Sequence, residues 1–501
     1  MTTRRADPGR PSRSHVGDVV RMAVRRRGAP GNPTADRPLA ARISDAVEDF
    51  AAHRPARFAI GIFTGLILLF TFLLCLPISS TARGWTPFVD ALFTAVSAIC
   101  VTGLATVEMA THWTTFGNVI ILIALQVGGI GVLTLASIMG LIVAKRLGLR
   151  QKLLAVGDNS PMRVHRPVAE SQALKLGEIG GLLATVAIGT LIIEGALTLL
   201  IFPALLIEGF DPWTAAWQSF YLAASAFTNT GFTPHADGMA LFADDPYMLG
   251  VIALGVFLGS VGFPVIFALA RYVKKRGRLA LHVKLTLVTT GILIVLGALA
   301  ITVLEWGNSA TLGGQEGWFR PITGTFLSIM TRSGGFSTVD IHEMNGSSLL
   351  IMDMLMFVGG GSASTAGGIK VTTLAILFIA AFAEARGDHD MQAFDRRIPN
   401  DVLRLAVSVV LWGATIVATS TVALLHITKA PLDFVLFDAI SAFATSGLTT
   451  GLTESLPDEG KYILAATMWA GRVGTVTLAA ALAASQRAQL FRRAEERPLV
   501  G

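Results

Sequence analysis

The sequence predicts an all-α integral membrane protein, and three observations carry that expectation. Of its 501 residues, 52% are hydrophobic and only 15% charged, whereas soluble domains carry about a quarter charged residues. The mean hydropathy of +0.61 excludes a disordered chain, which needs low hydrophobicity and high charge. Eight apolar runs reach the roughly 20 residues that cross a bilayer. Four shorter apolar runs alternate with them, in the order long, short, long, four times over.

The first element is polar. Residues 1–57 hold twelve Arg and no Lys, the composition of a basic, inside-facing segment ahead of a first span. No aromatic or RNA-binding pattern accompanies the arginines, so nucleic acid is not an expected partner. The first apolar run starts near residue 58, too deep for a secretory signal. The cysteines, Cys75 and Cys100, sit in apolar surroundings and suggest neither a disulfide framework nor a metal cluster.

Spanning helices are expected at about 57–78, 117–143, 179–207, 247–271, 281–304, 346–384, 402–427 and 461–485. The runs 87–100, 213–227, 320–331 and 432–444 are too short to span, so they are interfacial or re-entrant. Repeats then fall at 57–145, 146–278, 279–398 and 399–486, between an N-terminal segment 1–56 and a tail 487–501. The connections between repeats are basic at Lys145, Arg146, Arg150 and Lys152, and again at Arg271, Lys274, Lys275, Arg276 and Arg278. The third is mixed, with Arg386, Arg396 and Arg397 beside Asp388, Asp390 and Asp395. Those sides, with both termini, should face the cytoplasm. The opposite side carries Glu108, Asp237, Asp244, Asp245, Asp340, Glu343, Glu454, Asp458 and Glu459; acids around an entrance would concentrate cations there.

Each short run is followed by a similar loop. The first reads Val101-Thr102-Gly103-Leu104, the second Asn229-Thr230-Gly231-Phe232 and the fourth Thr445-Ser446-Gly447-Leu448, each preceded by Ser-Ala six residues before the glycine. The third, Ser328-Ile-Met-Thr-Arg332-Ser333-Gly334-Gly335-Phe336, is one residue longer. Spacing there favours Gly334, while the following Phe favours Gly335, which is preferred. The glycines lie 128, 104 and 112 residues apart, too far for a solenoid. Four such loops on one membrane face can close a ring. The expected architecture is therefore four helix–pore loop–helix repeats with pseudo-fourfold symmetry around a central pore. A cation leaving water needs its hydration shell replaced, and backbone carbonyls can do this. Glycine permits the conformations that aim them at the axis. Each short helix also presents the negative end of its dipole. Arg332, inside the third loop, is expected to pair with an acid behind the ring.

These four loops resemble those of the Trk/Ktr/HKT superfamily of potassium transporters, over about residues 57–485. The third loop is close to the family's Thr-Arg-Thr-Ala-Gly-Phe, with Ser333 and Gly334 as departures. The eight spans are most like the Ktr ion-conducting subunit. The resemblance implies potassium uptake across the cell membrane through a carbonyl-lined filter, with K+ as substrate and sodium as a further influence. It also implies a homodimer, one pore per chain, and a cytosolic ring of nucleotide-binding RCK-type subunits, for which loops 145–152 and 271–278 are docking candidates.

The sixth run is about 39 residues long, nearly twice a span. Its middle reads Gly359-Gly360-Gly361-Ser362-Ala-Ser364-Thr365-Ala-Gly367-Gly368-Ile-Lys370. So many glycines cannot hold a helix, and the run should break inside the membrane. It matches no phosphate-binding motif. It resembles the family's intramembrane gating loop. Arg472 lies far from either end of the last run, where a charge is costly and usually functional. It resembles the arginine the family projects into the pore beside that loop, with Lys370 a further contributor.

Two other functions compete. A secondary transporter of another small solute would need intramembrane carboxylates, and the runs offer mainly Glu194. An intramembrane hydrolase would use Ser362 or Ser364 with a base, for which His426 is the candidate. His112, His235, His342 and His426 show no metal-ligand spacing.

Overall fold

In a computed structural model of the chain, the described residues are 55–131, 176–235, 238–275 and 278–474. Residues 1–59 form one unit, described only from 55 onward, and residues 60–501 form another, which carries the features that follow. The expected N-terminal basic segment, the Lys145–Lys152 cluster, Asp237, Arg276 and the C-terminal tail lie outside the described residues.

Taken by the repeats expected from the sequence, the first contains α1 (Pro55–Cys75), α2 (Phe88–Cys100) and α3 (Thr115–Gly131). The second contains α4 (Leu176–Ile207), α5 (Pro212–Thr228), α6 (Pro246–Val261) and α7 (Phe263–Lys275). The third contains α8 (Leu281–Leu304), α9 (Arg320–Met330), α10 (Gly346–Phe357) and α11 (Val371–Arg386). The fourth contains α12 (Asn400–Thr428), α13 (Leu432–Ala444) and α14 (Asp458–Trp469), which runs into one π-helical turn at Ala470–Gly474. Among the described residues, Ala184–Ile207, Leu281–Leu304 and Asn400–Thr428 are long and apolar enough to cross a membrane.

The four short runs are the helices α2, α5, α9 and α13. Proline marks their starts: Pro212 and Pro321 lie in the first turn, where a missing N–H costs nothing and a fixed φ suits the helix, and Pro87 and Pro431 stand just before it at the N-cap. On α5 the Asp211 carboxylate also caps the helix, accepting from Trp213 N at 3.1 Å and Thr214 N at 3.0 Å. The Thr214 side chain, followed by these backbone donors, holds the exposed Asp211 carboxyl below its usual range. Three of the four helices end on a residue in the left-handed region: Val101, Asn229 and Thr445. Each makes the same closure, with the next residue's N–H donating to the carbonyl of Ser97, Ser225 or Ser441. This is the C-terminal capping geometry that stops a helix and turns the chain sharply.

The expected span 247–271 is not one helix. It breaks at Gly262, where α6 and α7 diverge by 101°. Gly262 has φ +89° and ψ 152°, a region open essentially to glycine alone. Pro264 then starts the new helix. The sixth run breaks as expected, between Phe357 and Val371. In the third connection, Gln392–Ala393 pairs with Arg396–Arg397 as a two-residue-stranded hairpin, turned through Phe394 and Asp395 at positive φ.

The helices meet in a cyclic order. Within repeats, α4 packs on α5, α8 on α9 and α12 on α13. Between repeats, α6 packs on α9, α10 on α13 and α14 on α2. The remaining contact, from the first repeat to the second, is made where Gly129 of α3 lies against the Thr228 side chain of α5. One apolar core joins the second, third and fourth repeats, and another joins the fourth and first with Tyr221, Ala224 and Phe232 of the second. Large apolar side chains such as Leu68, Phe72, Leu199, Val295 and Leu411 stand exposed on the outside, where lipid is their natural solvent.

Candidate functional site

The four loops after the short helices share one backbone geometry. Val101, Asn229, Ser333 and Thr445 have φ of +59°, +63°, +73° and +49°. Two residues on, Gly103, Gly231, Gly335 and Gly447 have φ of +94°, +86°, +75° and +88°. Gly335, and not Gly334, occupies the equivalent place in the third loop. The extra residue is absorbed before it: α9 continues through Thr331 in right-handed geometry, and Gly334 N donates to Met330 O at 2.8 Å. A β-branched residue in the left-handed region is a true outlier, so Val101 and Thr445 are held there against their preference.

The loops converge. A β-carbon built on Gly103 would overlap Thr230 O of the second loop, and one on Gly447 would overlap Thr102 O of the first. One on Gly231 would lie 2.6 Å from Gly335 Cα and 2.9 Å from Gly334 O. One on Gly335 would lie 3.0 Å from Gly231 Cα and from Ser446 O, and 3.1 Å from Thr230 O. The contacts run first to second, second to third, third to fourth and fourth to first, so the ring closes. At these contacts four carbonyls, of Thr102, Thr230, Gly334 and Ser446, each lie against the glycine of a neighbouring loop.

Side chains brace the ring from behind. Ser97 Oγ accepts from Gly103 N at 3.0 Å. Asn229 Nδ2 donates to Val256 O and Ser260 Oγ, both at 3.3 Å. The Ser333 hydroxyl donates to Thr445 O. Asp438 of α13, fully buried, accepts from Thr449 Oγ1 (2.8 Å), Thr450 N (3.0 Å), Thr450 Oγ1 (3.2 Å), Thr453 N (3.1 Å) and Thr453 Oγ1 (2.6 Å). Sequence reasoning missed Asp438; its signal was an acid in an apolar short helix followed by three threonines just past the loop. Also missed was the bond between Asp90 of α2 and Lys461 of α14, 2.7 Å long, supported by Thr106 Oγ1 on the same carboxylate at 2.8 Å.

On one side of the ring lies a cavity of about 240 Å³, lined by Gly335, Ser337, Asp340, Gly447 and Thr449 among others. Asp340 brings negative charge to this mouth. His342, next to it, meets Thr450 O through Nδ1 at 3.2 Å and stacks on Phe434.

The glycine-rich segment between α10 and α11 packs on the residues that precede the loop glycines, at Phe227, Asn229 and Ser333. It is fully threaded by hydrogen bonds. Gly361 N donates to Ser260 O at 2.7 Å and Thr365 N to Gly259 O at 3.3 Å, both near the break at Gly262. Ser364 Oγ donates to Gly361 O at 2.6 Å, and Ser362 Oγ lies 3.2 Å from Thr372 Oγ1. Gly359, Gly360 and Gly367 have no room for a β-carbon: Gly367 O, Ser260 O and Ala444 O respectively stand in the way. Gly368 adopts φ +64°.

Three cations hold this segment, and all bind its carbonyls. Arg472 Nη1, in the π-helical turn, donates to Thr365 O. Lys370 Nζ folds back to Ala366 O at 2.6 Å and Gly367 O at 3.4 Å, rather than reaching away from the loop. Arg332 Nη2 donates to Val358 O at 3.2 Å and Gly359 O at 3.0 Å. The expected acid partner of Arg332 is therefore not what it binds; carbonyl dipoles at the frayed end of α10 take that place. Arg332 and Arg472 are both buried, at 1% and 2% exposure.

The other candidates are dispersed. Glu194 is buried on α4 and accepts from Gln126 Nε2 at 2.6 Å. His426 is exposed in the last turn of α12, and among the described residues no hydrogen bond joins it to Ser362 or Ser364.

Comparison with known proteins identifies the family and the fold. Residues 64–491 match the TrkH family model, described as cation transport protein. The Ktr system potassium uptake protein B of Vibrio alginolyticus is 33% identical over 446 residues, covering 88% of this chain and 94% of that protein. The protein of the same name from Bacillus subtilis is 33% identical, covering 87% and 94%. The potassium/sodium uptake protein NtpJ of Enterococcus hirae is 30% identical, covering 82% and 89%. The crystal structure of the potassium transporter TrkH from Vibrio parahaemolyticus shares the fold, with a TM-score of 0.65 at 15% identity over 85% of this chain and 84% of that one. A family match across most of the chain leaves no place for the hydrolase reading: the protein is a membrane-embedded transporter rather than an enzyme, and it belongs to the TrkH family of cation transport proteins.

Proposed function

We propose that the chain takes up potassium across the cell membrane through the ring of four loops. The observation that carries this reading is the ring itself, with one carbonyl and one left-handed glycine from every repeat. A potassium ion stripped of water needs oxygens around it, and fixed carbonyls supply them without reorganisation. The four short helices, ending at the ring, add the negative ends of their dipoles. Asp340 at the mouth raises the local cation concentration. Val101, Thr102, Gly103 and their counterparts in the other three loops form the selectivity filter in this reading.

Below it, residues 359–370 act as the gate. A glycine-rich segment has little intrinsic structure of its own, so its position is set by the bonds that hold it. Arg472 contributes in two ways: it fastens the loop, and it sets a positive charge in the path of the ion. The names of the relatives support potassium as the substrate, and one of them names sodium as well. The nucleotide-binding partner ring, the homodimer, the four-repeat boundaries and the cytoplasmic placement of both termini extend the same proposal. Glu194, bonded to Gln126 through one carboxylate oxygen only, is a single intramembrane acid and offers little to a reading as secondary transporter of another solute.

The test is rubidium uptake and potassium-limited growth of a transport-deficient cell carrying this chain. Gly231→Ser places a side chain where Gly335 Cα stands 2.6 Å away, and is expected to weaken potassium preference or abolish uptake. Arg472→Ala is expected to raise flux. Normal uptake and preference in both would refute the assignment.

A further inference from the structure

We infer that Ser333 and Arg332 are positioning residues that tie the ring of carbonyls to the intramembrane loop, making ion discrimination depend on where that loop sits. The inference rests on reading residues 359–370 as a gate. It adds that gate and filter form one hydrogen-bonded unit instead of two barriers in series.

Ser333 stands at the junction. It is 1% exposed, and its left-handed backbone turns the side chain between two other segments. Its hydroxyl donates to Thr445 O, on the fourth loop of the ring. The same oxygen accepts from Gly367 N, in the gating segment, at 3.2 Å. One Oγ thus joins the third loop, the fourth loop and the gate. Its neighbour Arg332 reaches the other end of the segment, at the carbonyls of Val358 and Gly359. The second loop makes its own tie: Thr365 Oγ1 donates to Asn229 Oδ1 at 3.0 Å and lies 3.2 Å from Phe227 O. Three of the four filter loops are therefore bonded to the gate, directly or through Ser333.

The physical consequence follows from burial. A buried N–H or carbonyl left without a partner is costly, so the loop cannot leave without loosening Ser333 and Asn229. Those two residues occupy the left-handed positions whose backbone sets where the carbonyls point. When Gly367 N leaves, Ser333 Oγ loses its donor, and the hydroxyl is free to rotate its proton away from Thr445 O. A ring that holds its shape less firmly discriminates less between ions of different radius. Coupling between two sites is also reciprocal, so the ion in the ring biases the gate.

The experiment measures rubidium and sodium uptake side by side in transport-deficient cells carrying wild type, Ser333→Ala, Ser333→Cys, Ser333→Thr, Arg472→Ala, or Ser333→Ala with Arg472→Ala. Cysteine is nearly isosteric with serine and a weak donor, so it carries the test if the alanine chain is not inserted. Threonine keeps the hydroxyl, and Thr445 already adopts this backbone state. Ser333→Ala and Ser333→Cys are expected to lower the rubidium-to-sodium ratio about tenfold, the order of one lost buried hydrogen bond, and Ser333→Thr to restore it. Arg472→Ala should raise flux and lower the ratio together, with the double variant no less selective than the weaker single one. If Arg472→Ala leaves flux unchanged, the gate reading itself fails. If flux rises while the ratio stays at the wild-type value, or if the two losses multiply in the double variant, the gate stands and the coupling is refuted.

Discussion

At the scale of single residues, Asp438 is the plainest case of a charge built in to hold backbone. Its Oδ1 accepts from Thr450 N and Oγ1, and its Oδ2 from Thr449 Oγ1, Thr453 N and Thr453 Oγ1. Both oxygens serve only donors. Asp438→Asn replaces one acceptor by an NH2 that faces donors, leaving buried groups unpaired at about 1–3 kcal/mol. The expected outcome is a lower melting temperature of the purified protein in detergent, with Asp438→Glu, which keeps both acceptors, losing less. An equal loss in both would point to packing instead. The glycines of the ring were legible from sequence because no other residue tolerates their φ so readily. The residues two positions earlier were singled out as well, but not their left-handed backbone. Val101 and Thr445 are β-branched, and a left-handed conformation is the last thing such residues suggest; it is imposed by the capping bonds at the helix end and by full burial. Arg332 misled in another way. A buried guanidinium is expected to find a carboxylate, yet two carbonyls at a broken helix end serve it.

At the scale of elements, the two interrupted helices differ in how openly the sequence declares them. Residues 359–368 concentrate glycine enough to forbid a helix. The break at Gly262 rests on a single glycine ahead of Phe263-Pro264, inside a run that stays apolar throughout, so hydropathy alone reads one span. The two breaks face each other: a β-carbon on Gly262 would stand 2.7 Å from Ala363 O. The C-terminal end of α8 is closed by a different device. Glu305, fully buried, accepts from Thr311 Oγ1 at 2.6 Å, Asn308 Nδ2 at 2.7 Å and Asn345 N at 3.0 Å, and also from Ser348 Oγ of α10. Burial pushes its pKa up, but the hydrogen bonds from Ser348, Thr311, Asn308 and Asn345 outweigh it and hold the carboxyl below its usual value. A depressed carboxyl stabilises the fold above its unfolded pKa and loses that contribution as pH falls through the folded one. Thermal stability should therefore drop on acidification below the ordinary glutamate range, about pH 4.3. Glu305→Gln should be less stable at neutral pH and should flatten that part of the profile. A variant whose acid limb matches wild type would assign the loss to other carboxylates.

At the scale of the whole molecule, the short helices α2, α5, α9 and α13 each pack on a helix of the neighbouring repeat, and these contacts close a ring. The cyclic order was legible in the fourfold recurrence of a loop, but the fastening between first and last repeats was not, since Asp90 and Lys461 are 371 residues apart and neither stands out locally. Here α14 meets α2, and the Lys461 ammonium bonds the Asp90 carboxylate with each side chain only 13% exposed. Thr106 satisfies the same carboxylate oxygen, while Asp458, 3.7 Å from Lys461, lies exposed. Removing one member of a shielded pair strands the other, at a cost on the order of 3 kcal/mol. Lys461→Ala and Asp90→Ala are each expected to destabilise the detergent-solubilised protein by about that much, and Lys461→Ala the more, because Asp90 then keeps only the Thr106 hydroxyl. The double variant should lose less than the sum, since no stranded charge remains. That shortfall measures the clasp itself. If the two losses simply add, the pair is incidental and apolar contact between α14 and α2 alone closes the ring.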